Sequence, residues 1–426
     1  MQKIIIIVVG VLFVSAAGYV MWREAAPNGL LPTPAETSAA LESIVQEDQD
    51  SKTVQSNIDD IGSSAKAAAV AAAPAPEAVK DNTTVASTND PAFAPVDCPP
   101  LKPALDATAY QGKLYDTHIH IAPIPDGPVD ADDEQSQPGL GVNVSMADYA
   151  CMLDVEGTSK VFAFFPVWEP MIPEFIAVVD KTMQKYPGRF VPFIMPPDHD
   201  DRSDGFPTVT ADVLKEMLAI QPGLFQGYGE IGLYARGDHG GPNGAPELPP
   251  DSKRLAAIYP VVRDNTLIVY VHLGEGQQKS FEAALSVNPD INFIWHGDQL
   301  IPYENGVQNL KHIEEILSDH SNAFYGVDEL YGDVWMLRPE VTKEEFIAHL
   351  QNKETLLKKD LATWKGFIER HPDQVLWGTD RGWSAPWSLS PDVAVALNAY
   401  SRAFIGRLDP AVQERFAWQN AEQLLK

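Results

Sequence analysis

The chain has 426 residues, 45% hydrophobic and 21% charged, with Lys+Arg 31 against Asp+Glu 59 and a formal net charge of -28. That apolar content supports a large core and excludes wholesale disorder. So acidic a chain disfavours nucleic acid and anionic lipid as partners, and two cysteines are too few for a disulfide scaffold or a cysteine-rich metal cluster.

Residues 4–22 are nineteen consecutive residues without a charge, preceded by Lys3 and followed by Arg23. A run of that length can span a bilayer, and an uncleaved anchor over residues 1–23 is the preferred reading. A cleaved signal peptide, with Ser15-Ala16-Ala17 supplying the small residues, is the alternative. Either one exports the rest of the chain to the periplasmic or extracellular side. The next stretch, assigned as a disordered linker over 24–110, contains AKAAAVAAAPAPEAVK and many Pro, Ser, Thr and Asp residues. Its few aromatics bury too little to offset the entropy of ordering.

From residue 111 the texture changes. Eight short apolar, β-branched or aromatic runs follow in order: KLYDTHIHIA, TSKVFAFFPV, RFVPFIMP, LFQGYGEIGLY, TLIVYVHLG, INFIWHGD, AFYGVDELYG and QVLWGTDRG. Between several of them lie helical patterns such as PEFIAVVDKTMQKYP, TADVLKEMLAI and LKHIEEILSDH. Strand–helix alternation predicts parallel β/α units, and eight of them predict a closed α/β barrel of the (β/α)8 TIM type over 111–426. A doubly wound open sheet is the competing architecture.

Polar residues gather where such barrels keep their sites, at the C-terminal strand ends. His118 and His120 end the first run and Glu230 lies late in the fourth. His272 ends the fifth, His296 the sixth and Asp380 the eighth. Residues two apart on a strand share a face, so His118 and His120 can enter the barrel mouth together. Taken singly, His272 and His296 fit satisfied core histidines and Asp380 fits a turn cap. Glu230 inside a barrel needs a counter-charge. Six such placements have one economical common cause, a divalent metal centre, with zinc preferred and manganese or iron possible.

Gly227 to Gly232 match G-x-G-x-x-G, but an acid stands inside the motif and a loop follows it, so dinucleotide binding is excluded. Arg236-Gly237-Asp238 is assigned to that loop rather than to cell adhesion. Arg381 directly follows Asp380 and is a candidate for holding a substrate anion; a salt bridge to Asp328 or Glu329 is the alternative. Trp383, with Trp387, Trp335 and Trp168, is a candidate for an aromatic substrate pocket, with packing beneath the loops as the alternative. Cys98 and Cys151 are a candidate disulfide in an oxidising compartment.

DTHIH, the late-strand His272 and His296, WGTD and the closing WQNAEQLL resemble the amidohydrolase superfamily, most of all its amidohydrolase-related (amidohydrolase 2) branch. GYGEIGL is similar to the fourth-strand segment of TatD-type relatives. The resemblance covers about residues 114–426. It implies that His118, His120 and Asp380 hold a first metal and that Glu230 bridges to a second held by His272 and His296. A carboxylate then stands where many relatives use a carbamylated lysine. In a one-metal version His118, His120, His272 and Asp380 are the ligands, and His296 polarises the substrate. Such an ion lowers the pKa of water from about 15.7 towards 7 and polarises a carbonyl or phosphoryl oxygen. Asp380 is the expected proton carrier. The implied activity is metal-dependent hydrolysis of a C–O or C–N bond in a small molecule. A one-metal decarboxylase-type lyase and a non-catalytic tethered binding protein remain as alternatives.

Overall fold

The computed structural model describes residues 91–121, 144–167, 171–196, 206–234, 247–274, 276–297, 303–304, 307–308, 310–328, 330, 341–382 and 386–426. The chain divides into two units, residues 1–86 and 87–426, and every described residue belongs to the second. The expected anchor over 4–22 and most of the expected linker lie outside the described residues. Among the described residues, no helix is long and apolar enough to cross a membrane.

Eight parallel strands form one sheet: β1 (Tyr115–His120), β2 (Lys160–Pro166), β3 (Phe190–Met195), β4 (Gly227–Gly232), β5 (Ile268–His272), β6 (Phe293–Trp295), β9 (Ala323–Val327) and β10 (Val375–Trp377). A short antiparallel pair, β7 (Tyr303–Glu304) and β8 (Val307–Gln308), lies between β6 and β9. The order β1-β2-β3-β4-β5-β6-β9-β10 follows the chain. The barrel closes through a bridge between Ile119 and Arg381, with the His120 amide donating to the Arg381 carbonyl at 2.9 Å. All eight predicted runs are strands of this barrel. G-x-G-x-x-G is the strand β4 itself, not the strand–turn–helix that a dinucleotide requires.

Helices separate the strands. They include α1 (Met146–Glu156), α2 (Ile172–Lys185), α3 (Ala211–Ile220), α4 (Lys253–Asp264), α5 (Gln278–Val287) and α6 (Lys311–Asp319). α1 begins in a capping box between Ser145 and Asp148 and stops at Gly157, whose φ of 77° suits a residue without Cβ. Beyond β9 the chain adds α7 (Lys343–Gln351), α8 (Lys353–Asp360) and α9 (Gly366–Arg370), and after β10 it adds α10 (Pro391–Ile405).

Along the strands, buried residues alternate between two clusters. Tyr115, Phe162, Phe164, Val191, Phe193, Met195, Ile268, Tyr270, Ile294, Phe324 and Leu376 fill the barrel, with Trp418 and Leu424 packed on the same cluster. Val161, Ala163, Phe165, Val269, Val271, Phe293, Trp295, Tyr325 and Trp377 face the helices. β1 and β4 break this alternation. Thr117 and His118 stand opposite Phe162 alone, and Gly229 and Glu230 stand opposite Tyr270 alone. Each extra residue is a bulge that inverts the phase. Gly229 has φ 136°, and a Cβ there would lie 2.3 Å from the Tyr270 carbonyl, so the bulge needs glycine.

The folded unit begins earlier than the expected linker boundary. Residues 91–110 fall within the expected linker, yet Ala92, Phe93, Ala109 and Tyr110 are buried. Cys98 is joined to Cys151 of α1 with a Cα–Cα distance of 5.6 Å across 53 positions. Apolar anchors and one covalent bond thus order a stretch whose composition alone argues against order. Replacing Cys151 by Ser is expected to lower the unfolding free energy by up to about 4 kcal/mol, the chain entropy that such a loop restores to the unfolded state. Denaturant unfolding of the purified chain before and after reduction measures it.

Candidate metal centre

β1 places His118 and His120 in the barrel mouth, and the bulge puts them in phase with each other and with Tyr115 inside. β4 delivers Glu230 through its own bulge. The interior phases of β5, β6 and β10 run on to His272, His296 and Asp380. His118 Nε2 and His120 Nε2 are 3.1 Å apart. Glu230 Oε2 lies 3.2 Å from the first and 3.4 Å from the second. Asp380 Oδ1 lies 3.3 Å and 3.1 Å from the same two atoms. The other oxygen of each carboxylate faces the opposite pair: Glu230 Oε1 is 2.7 Å from His272 Nδ1, and Asp380 Oδ2 is 3.4 Å from His296 Nε2. The His272 and His296 rings stack at 4.4 Å.

These residues therefore form two adjoining groups, His118–His120–Glu230–Asp380 and Glu230–His272–His296, each able to hold an ion. The donor spacing fits one. Bonds of about 2.0–2.2 Å to nitrogen and oxygen set tetrahedral donor–donor edges of about 3.3–3.6 Å, and the five edges given above for the first group, 3.1 to 3.4 Å, overlap that range from slightly below. His272 belongs with Glu230 and His296, not with the first group, so the geometry departs from the one-metal ligand set.

The charges interlock. Burial disfavours protonation of His118, but the carboxylates of Asp380, Asp328 and Glu230 outweigh it and push its pKa up to about 10. Burial likewise opposes ionisation of Asp380 and Glu230, yet the surrounding imidazoles hold both well below the usual carboxylate range. Asp380 adopts a left-handed backbone at φ 48°, a conformation that clusters at functional sites.

Arg381 is a correction. Asp380 faces the mouth, and the chain turns there so that Arg381 points outward. Its side chain is 1% exposed and turned towards α1. Nη1 and Nη2 donate to the Glu156 carboxylate at 2.9 and 3.1 Å, Nη2 to Asp116 at 3.2 Å and Nε to Thr379 at 2.9 Å. Asp116 in turn accepts from the His118 amide at 3.1 Å and from the Thr379 hydroxyl at 2.6 Å. The guanidinium thus braces β1, α1 and the Asp380 turn and has no face left for a substrate anion. The predicted partner Asp328 points into the barrel instead, and Glu329 lies outside the described residues. Trp383, Trp168, Trp335 and Arg236 to Asp238 also lie outside them. Trp387 packs on Phe346 of α7 with ring centroids 5.2 Å apart.

Two further buried residues stand at the site, Asp328, expected from the sequence only as an ion-pair partner of Arg381, and Tyr270. Asp328 follows β9 in the interior phase of Phe324, and Tyr270 sits two residues before His272 on β5. The signal for Asp328 was its place at a strand end, which the other ligand candidates share. Nothing in LIVYV distinguished Tyr270 from a core aromatic.

Comparison of the sequence with protein-family models and with curated proteins gives no match. Solved structures with a similar fold include an amidohydrolase from Burkholderia multivorans with bound zinc. It is 13% identical with a TM-score of 0.44, over 74% of this chain and 99% of that one. A putative 2-pyrone-4,6-dicarboxylic acid hydrolase from Pseudomonas putida is 13% identical with a TM-score of 0.43, over 73% and 97%. A TatD homologue from Escherichia coli is 17% identical with a TM-score of 0.37, over 73% and 97%.

Two outcomes are expected. Arg381→Ala leaves Glu156 and Asp116 buried without a counter-charge, and the unfolding free energy falls by about 3–5 kcal/mol in urea titration. In the metal-free protein, the His118 pKa rises on folding from 6.5 to about 10. Its protonation therefore stabilises the fold fully below pH 6.5, and this contribution disappears as pH rises through 10. Metal must displace that proton, so zinc added at pH 7 releases protons into weakly buffered solution. Binding without acidification would contradict this account of the charges.

Proposed function

We propose that the chain is a metal-dependent hydrolase of the amidohydrolase-related type that cleaves a C–O or C–N bond of a small molecule such as a lactone, ester or amide. The observation that carries this reading is the pair of carboxylates, Glu230 and Asp380. Each turns one oxygen to His118 and His120 and the other to His272 or His296. His118, His120, Glu230 and Asp380 would hold one divalent ion, and Glu230, His272 and His296 a second. Zinc suits these nitrogen and oxygen donors. When bound, such ions acidify water and polarise the scissile group.

Exposure divides the labour among the side chains. His118 and His296 are 0% and 1% exposed, so they hold and do not touch substrate. Asp380, at 12%, is more accessible, as are Glu230 and His272 at 11% and 12%. Asp380 accepts the proton of the attacking water and returns it to the departing oxygen or nitrogen. The Cys98–Cys151 bond supports export, because disulfides persist in oxidising compartments. We place the catalytic unit outside the cytoplasm, tethered through residues 4–22 or released after cleavage.

The test is a double variant, His118→Ala with His120→Ala, set against Asp380→Asn. The double variant is expected to lose its metal and all turnover across a panel of lactones, esters, amides and carboxylic acids. Asp380→Asn is expected to lose at least about a hundredfold in kcat, the usual yield of a proton carrier. Turnover and metal content surviving the double variant would refute the assignment. Carbon dioxide released from the carboxylic acids would move it to a lyase.

A further inference from the structure

Behind His118, on the side away from Glu230 and Asp380, lies a second polar group. The Tyr270 hydroxyl is 3.1 Å from His118 Nδ1 and donates to Asp328 Oδ2 at 3.0 Å. The same oxygen accepts from the Gly297 amide at 3.3 Å and lies 3.5 Å from His118 Nδ1. Both Asp328 and Tyr270 are buried, at 1% and 0% exposure. Within these contacts the carboxylate meets a phenol, a backbone amide and imidazoles, with no lysine or arginine. A carboxylate is costly to bury on such partners alone, so its retention needs a positive charge close by.

We propose that Tyr270 and Asp328 are positioning residues for His118, acting through a hydrogen-bonded chain that runs from His118 Nδ1–H to the Tyr270 hydroxyl and on to the Asp328 carboxylate. The phenol spends its single proton on Asp328, so its oxygen is left to accept from Nδ1. That assignment puts the imidazole proton on Nδ1 and leaves the Nε2 lone pair aimed at Glu230 Oε2 and Asp380 Oδ1, where the first ion would sit. The Tyr270 ring is wedged against Phe164 at 4.9 Å and His118 at 4.8 Å, so the hydroxyl has little freedom to turn away. The fold keeps the space clear. A Cβ on Gly326 would come within 2.8 Å of Asp328 Oδ2 and 2.9 Å of the Tyr270 hydroxyl. Partners of this kind orient a ligand imidazole and raise its basicity, and their loss typically weakens metal binding 10- to 100-fold.

The inference rests on the reading of the cluster as a metal centre, and the experiment separates the two. Tyr270→Phe, Asp328→Asn and the double variant are made in the full chain, and zinc affinity is measured by competition with a chromophoric chelator. Melting of the metal-free protein is followed in parallel. Each single variant is expected to bind zinc roughly 10- to 100-fold more weakly, and the double variant no more weakly than the worse single one, because both cut one chain. Metal-free melting temperatures stay close to that of the parent. The visible bands of the cobalt-substituted protein shift in both variants, a signature that a merely structural role would not move. Zinc affinity within twofold of the parent in both single variants would overturn the proposal, as would losses that simply multiply in the double variant. If His118→Ala with His120→Ala keeps its zinc, the metal reading fails first.

Discussion

A carboxylate largely buried in a barrel mouth is stable only against positive charge, and an imidazole crowded by carboxylates gains a proton or a metal. Glu230 and Asp380 meet four histidines under that constraint, each carboxylate touching three of them. No member of the cluster can be removed without stranding another, which is why six side chains from five strand ends share so small a volume. The barrel supplies the meeting place. Parallel strands present their C-terminal ends at one rim, and the interior phase of each strand carries a side chain into it.

The outer face of the same rim holds a second charge cluster. Asp116 of β1 and Thr379 and Arg381 after β10 lie on the face opposite His118 and Asp380 and are joined there by Glu156, so these short stretches of backbone are held from both sides. Glu156 belongs to α1, and α1 carries Cys151 and the Tyr149 hydroxyl that donates to the His120 carbonyl at 3.0 Å. The disulfide thus anchors the helix that braces the mouth. Burial pushes the pKa of Asp116 up to about 6 despite Arg381 beside it.

Much of this was legible in the residues. The eight apolar runs have the length and enrichment of buried strands, and their alternation with helices leaves few architectures. Polar residues at the ends of otherwise apolar runs stood out because nothing in a core explains them together. Asp328 was passed over as a site residue although it ends a strand in the same way, and Tyr270 carries no mark that separates it from packing. Arg381 adjoins Asp380 in sequence but not at the mouth, because the left-handed turn at Asp380 sends the Arg381 side chain to Glu156 on the outer face. Residues 91–110 were taken for linker because the buried aromatics and the disulfide that hold them find their partners far along the chain.

What the sequence determined by itself is the kind of barrel and the list of donor atoms, since strand periodicity and ligand chemistry are local properties. Tertiary structure alone decided which donors meet. In β1 and β4 a plain alternation from Tyr115 and Tyr228 would send His118, His120 and Glu230 to the helix side. One extra residue in each strand reverses that phase. Such a bulge is defined only by pairing with the neighbouring strand, and no single stretch of sequence contains its partner.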